Sequence, residues 1–270
     1  MCLGVLINMG KSLLVLILAL LACQTTGAAQ HGDSLNAAAK MLLGQGNPAA
    51  AVPVLREAAE AGHPEAQCNL AVALLEGSGT NADTAEANRW LLKAAEQGWV
   101  DAQFKLAYSY VLGRGMLVDM VEALRWFEAA AKNGDAEAQF VIIGMLMKGQ
   151  GAKADPKRAL DWAERLAVRK NPEDLRTSGH ITSARLNLAR MYLNGEGGVG
   201  RNAFEAYQWL LIANENKVDL SILVQQSMIR DIGTLEEELD SQEKTRARKA
   251  AEARLGRPLS NLGNLLKQEM

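Results

Sequence analysis

The sequence predicts an all-α solenoid built from stacked helix–turn–helix units, and three observations predict it. Trp90, Trp126 and Trp162 are spaced 36 and 36 residues apart. Paired glycines recur in phase with them: Gly77/Gly79, Gly113/Gly115, Gly149/Gly151 and Gly195/Gly197. A short oxygen-bearing residue precedes each Trp-bearing segment, as in Asp83-Thr84-Ala85-Glu86 and Asp119-Met120-Val121-Glu122. A fixed period of roughly 20–50 residues marks an array of small units, none of which buries its apolar face until a neighbour stacks on it.

The first thirty-five residues follow a different rule. Leu13 to Ala22 is an uncharged apolar run after Lys11. It is far shorter than the ~20 residues of a membrane-spanning helix, so residues 1–22 read as a signal peptide, with Met9 as a better start than Met1 because it places Lys11 directly before the core. Leu20-Leu21-Ala22-Cys23 resembles a bacterial lipoprotein cleavage box, which makes Cys23 the expected lipid-attachment residue. The rival readings are soluble export, with cleavage near Ala28 or Ala29, and an uncleaved anchor. Residues 23–35 read as a linker.

Residues 36–65 form a shortened first unit, with Ala51 and Ala58/Ala59 matching Ala87 and Ala94/Ala95. As a terminal unit it reads as a cap on the stack. Four full copies then occupy 66–217, beginning at Ala66, Ala102, Ala138 and Ala184. In each, the first glycine ends a helix in the left-handed conformation that a residue without Cβ adopts without strain. The second helix opens with an N-cap and, in three copies, a capping-box Glu: Asp83/Glu86, Asp119/Glu122 and Asn202/Glu205. Asp155 is followed instead by Pro156, which suits the first helical position. Ala87, Ala123, Ala159 and Ala206 lie one turn before Trp90, Trp126, Trp162 and Trp209, so alanines and indoles share a buried face.

Copy three runs into an insertion, 169–180, that lengthens the Trp162–Trp209 spacing to 47. Residues 218–256 carry helical apolar spacing, including Leu220, Leu223, Val224, Met228, Ile229, Ile232, Leu235 and Leu239, and then a helix opened by Asp240 and Glu243 and closed by Gly256. These read as C-terminal capping helices. Residues 257–270 are a tail.

This pattern of Ala, Leu-Ala, two glycines, Asp, Ala, Trp and Ala-Ala resembles the Sel-1-like repeat, a relative of the tetratricopeptide repeat, over about residues 36–217. The resemblance implies a right-handed superhelix whose concave surface binds other proteins, with no catalysis. The signal segment and the box at Cys23 add the expected location, the periplasmic side of a bacterial envelope, as an outer-membrane lipoprotein or a soluble periplasmic protein. The partners implied are envelope proteins, with the membrane engaged through the N-terminal lipid. Many exported relatives carry a disulfide in each repeat; here Cys68 is the one cysteine of the repeat region and reads as a buried apolar residue.

Other chemistries find little support. A formal charge of -2 and the absence of a long basic cluster argue against nucleic acid. His31, His63 and His180 stand at no metal-ligand spacing, so neither metal nor cofactor is expected. The Gly-x-Gly pairs follow helices and lack the lysine context of a phosphate loop. If the first helix of each unit lines the concave wall, Lys105, Tyr108, Ser109, Asn187 and Arg190 are the candidate partner-binding residues. Two alternatives remain open: an envelope enzyme such as a cell-wall or β-lactam hydrolase, and a periplasmic regulator of a sensor or secretion system.

Overall fold

The computed structural model describes residues 30–172 and 174–261, all of whose regular elements are helices. The signal segment, Met9 and Cys23 lie outside the described residues, as does the tail beyond 261. The chain divides into two compact units, one ending at Val118 and one beginning at Asp119.

The first unit contains α1 (30–44), α2 (Pro48–Glu60), α3 (Pro64–Glu76), α4 (Thr84–Glu96) and α5 (Val100–Leu112). Residues 30–35, expected as the end of a linker, are helical. Their helix is tied down by Asn36 and Lys40, which donate to Glu65 at 2.8 and 2.7 Å. From α2 onward each helix packs on the next in sequence. Ala51, Leu55, Leu70, Ala87, Leu91 and Ala94 are fully buried between them.

The second unit contains α6 (Met120–Lys132), α7 (Ala136–Lys148), α8 (Pro156–Ala167), α9 (Leu175–Asn194), α10 (Ala203–Asn214), α11 (Ile222–Glu238) and α12 (Ser241–Leu255). Helices α6 to α10 pack sequentially, and α10 also takes α11 and α12 against it. Trp90, Trp126, Trp162 and Trp209 are 8, 7, 8 and 2% exposed, so the periodic indoles are core residues of their respective units. Each has a cation over its ring, Lys93, Arg125, Arg165 and Arg254, at 4.0 to 5.1 Å. The cationic heads thus cover the indole faces nearest to solvent.

The first glycine of each pair is the left-handed C-cap expected. The second has a harder constraint. A Cβ on Gly115 would stand 2.7 Å from Thr84 at the start of α4, and one on Gly151 would stand 2.8 Å from the Met120 carbonyl carbon and 3.0 Å from Leu124. In both cases the glycine lets a turn lie directly on the N-terminus of the second helix of the preceding copy. In copy four the left-handed position falls at Gly198, with φ 79, one place later than the pairing predicts, and open space surrounds it.

The caps differ in part from expectation. Asp83, Asp155 and Asn202 accept from the backbone N–H three residues on, at 2.8, 3.0 and 3.1 Å, and Asp119 does so at 3.1 Å. The returning half of the capping box is found in α12, where Glu243 accepts from Asp240 N–H. At Asp83 and Asn202 that N–H already donates to the Leu74 or Tyr192 carbonyl, at 3.0 and 2.8 Å. Glu86 and Glu205 are thereby released to pair elsewhere, with Arg56 and Arg254.

The insertion is only partly a loop: its second half, from Leu175, is helical. Helix α9 has 20 residues where α3, α5 and α7 have 13, because residues from Leu175 onward extend it at its N-terminus. In α11, Met228, Ile232 and Leu235 are buried as the spacing predicts, but Leu223 is 77% exposed. It lies beside Ile222 in the first turn of the helix, which departs from the packed stripe.

Candidate functional site

The three candidates on α5 are brought together. Lys105, Tyr108 and Ser109 line a cleft of about 300 Å³ on the α3–α5 side of the first unit, with Val72, Leu75 and Leu112. Helical spacing causes this, since Lys105, Tyr108 and Leu112 lie three and four residues apart on one face. Tyr108 meets the ring of Phe104 edge-on at 4.9 Å between centroids. Lys105 pairs with Asp101 at 3.5 Å, a half-exposed i,i+4 contact of small energetic weight. Ser109 is only 3% exposed, so it contributes to the floor of the cleft and offers little surface to a partner. Leu112 is 52% exposed and supplies the apolar lip.

Asn187 and Arg190 lie on α9 and line a separate cleft of about 330 Å³ in the second unit, with Phe140, Val141, Met147 and Glu196. The charge of Arg190 acts on Asp231 of α11. Burial pushes the Asp231 carboxyl up, and Arg190 and Arg230 pull it back only in part. The five candidates therefore fall into one cleft in each unit.

Cys68 is fully buried and donates to Asp101 at 3.4 Å, and burial, then the Asp101 charge, pushes its thiol up, away from the reactive thiolate. His63 caps α3 by accepting from Ala66 N–H at 3.2 Å and faces Asp33 at 3.2 Å. His180 stacks on Phe140 at 5.1 Å. Among the described residues no three His, Cys, Asp or Glu side chains are grouped to hold a metal. No described helix is long and apolar enough to cross a membrane.

A set of polar residues went unnoticed in the sequence. Gln67, Gln103 and Gln139, each directly after the alanine that opens its copy, are buried and donate from Nε2 to the carbonyls of Ala59, Ala95 and Ala131 at 3.1, 3.1 and 3.0 Å. Each is a second donor to a carbonyl in the last turn of the preceding helix, which already accepts from the Gly62, Gly98 or Gly134 N–H, and so ties the two helices together. The recurrence of Ala-Gln at 66–67, 102–103 and 138–139 was the available signal. In copy four the position is Arg185, 2% exposed. It donates from Nε to the Ala167 carbonyl at 2.9 Å, then reaches Asn171 at 2.5 Å and the Arg169 carbonyl at 2.7 Å. Asn171 in turn donates to Ser178 and Thr182, whose hydroxyls donate to Asp219 at 2.6 and 3.0 Å.

This repeating geometry is matched by the family model described as Sel1 repeat, at residues 64–99, 100–135, 144–167 and 182–217. The chain belongs to the Sel1 repeat family. Between the last two matched Sel1 repeats lie residues 168–181, the same stretch in which Arg185 holds the insertion. Among solved structures, a Sel1 repeat protein from Oxalobacter formigenes is 27% identical, with 75% of this chain and 74% of that one covered and a TM-score of 0.57. A protective antigen of uropathogenic Escherichia coli displaying an SLR fold is 21% identical, with 90% and 55% covered and a TM-score of 0.43. A Sel1 repeat protein from Klebsiella pneumoniae is 22% identical, with 66% and 97% covered and a TM-score of 0.32. At those scores the last two say nothing more about this chain. No curated protein matches it. The fold is an all-α repeat solenoid, and Sel1 repeats are protein-interaction modules.

Proposed function

We propose that this Sel1 repeat protein is a non-enzymatic scaffold on the periplasmic side of a bacterial envelope, tethered through a lipid on Cys23 and binding segments of other envelope proteins. The observation that carries the binding part is the cleft of α3 and α5. There Val72, Leu75, Phe104, Tyr108 and Leu112 present an apolar surface beside the cation of Lys105. Two aromatic rings and an aliphatic lip, rimmed by the charges of Lys105, Arg114 and Glu76, suit an amphipathic helix or an extended segment from a partner. The tether rests on Lys11, the apolar run from Leu13 to Ala22 and the cysteine directly after it.

A photo-crosslinking residue at position 108 in intact cells tests the binding. One dominant adduct that disappears in a Lys105→Glu/Leu112→Asp variant supports the cleft. A ladder of weak adducts indifferent to that variant refutes it. Labelled palmitate incorporated by the wild type but not by Cys23→Ser tests the tether, and equal labelling of both proteins, or of neither, removes it.

A further inference from the structure

A second cleft, remote in the sequence from Lys105 and Tyr108, has a different chemistry. It encloses about 600 Å³ between the start of the insertion, α10 and the end of α12, and its walls carry Arg169, Lys170, Arg185, Arg254 and Arg257 with no carboxylate among the lining residues. Trp209 contributes to its floor, with Arg254 lying 4.6 Å from the ring centre.

The charges nearby do not fully cancel this set. Arg254 pairs with Glu205 at 3.0 Å, and Arg257 with Glu215 at 2.6 Å. Arg185 reaches Asp219 only through Asn171, and Arg169 spends its hydrogen bonds on neutral acceptors, the Gly134 carbonyl and Gln139, at 2.9 and 3.3 Å. The C-termini of α8 and α12 also face the cleft, each equivalent to about half a negative charge. Three carboxylates and two helix ends set against five cations leave about one positive charge unmatched.

We propose that this cleft receives a single carboxylate side chain from an acidic segment of a protein partner, held between Arg169 and Lys170 on one lip and Arg254 and Arg257 on the other. One unmatched charge selects a monoanion. A phosphate group carries about 1.5 to 2 negative charges at neutral pH and would overfill the site. The Arg185 guanidinium is held down to about 10, first by burial and then by the charge of Arg257, so an anion in the cleft also relieves this buried cation. The site goes beyond the α3–α5 cleft and shares no residue with it, so either reading can fail alone.

The test is calorimetric titration of the full chain at low salt with a blocked Gly-Glu-Gly peptide, its Gly-Gln-Gly counterpart and inorganic phosphate. The glutamate peptide is expected to bind at one site, at least tenfold more tightly than the other two, and to weaken as salt is raised. Lys170→Glu should lower its affinity at least tenfold at an unchanged melting temperature, whereas Lys105→Glu should leave it unaltered. If Lys170→Glu melts early, Lys170→Ala replaces it, with a loss of at least threefold expected. Equal binding of the glutamine peptide, tighter binding of phosphate, no saturable binding, or indifference to the Lys170 variants would each overturn the site.

Discussion

Arg185 donates its Nε–H to the carbonyl of Ala167 at 2.9 Å, taking the post that Gln139 holds on Ala131 at 3.0 Å one copy earlier. The arginine keeps the glutamine's contact with the preceding helix and uses its remaining length to grip the insertion at Arg169 and Asn171. A hydrogen bond to a charged group contributes ~1.5–3 kcal/mol. Replacing Arg185 by Gln should therefore retain the inter-helix contact and lose both bonds of the grip, lowering stability by at least about one such bond once the cost of burying the charge is relieved. Amide exchange should quicken at 169–182 while Gln103 and its surroundings stay protected.

Gly98 and Gly115 separate backbone strain from crowding. Both have positive φ, 86 and 68, but a Cβ on Gly98 meets open space while one on Gly115 would stand 2.7 Å from Thr84. Gly98→Ala should cost ~1–2 kcal/mol, the left-handed penalty alone. Gly115→Ala should cost clearly more, because the start of α4 must move. Chemical denaturation of the two variants, compared at equal m-value, measures the difference.

Glu215 ties the end of the described chain to the second unit. Burial would raise its pKa, but the hydrogen bonds from Ser260, Asn261 and Arg257 outweigh it, and the carboxyl lies below the ordinary glutamate range. A group whose folded pKa is depressed contributes fully above its unfolded value, and the contribution is lost as pH falls through the folded one. The melting temperature should therefore decline as pH is lowered below the usual glutamate range, about 4.3. Glu215→Gln should melt lower at neutral pH and show a shallower acid slope.

Tyr108 should act as an anchor for whatever occupies the α3–α5 cleft. Its ring packs on Phe104 and is only half-buried, so the side chain retains surface for a partner. Tyr108→Ala should weaken a recovered complex at least tenfold, or about 1.4 kcal/mol. Ser109→Ala, at a site 3% exposed, should leave affinity within twofold. Binding measured on purified components distinguishes the two.

The helix boundaries and core of the repeats were legible because they depend on local chemistry. Asp83, Asp119 and Asp155 cap helices by contacts three residues away, and Ala87 and Trp90 share a face through helical spacing alone. The Gln clamps were less legible. A glutamine in the first turn of a helix reads as a solvated side chain until the carbonyl it meets, eight residues back, is brought beside it. The lip at Leu112 and the departure of Leu223 from the buried stripe likewise depend on which neighbours are present.

The repeat, its register, the Trp core and the site of the insertion can be read from residue type and spacing, since each follows from short-range backbone and packing rules. Folding adds that the insertion lengthens α9, that the second glycine of the pair admits a neighbouring helix start in copies two and three, and that five cations scattered between Arg169 and Arg257 share one cleft. Those outcomes rest on contacts between segments distant in sequence. There, shape and unmatched charge arise from the sum of several elements and are written in none of them singly.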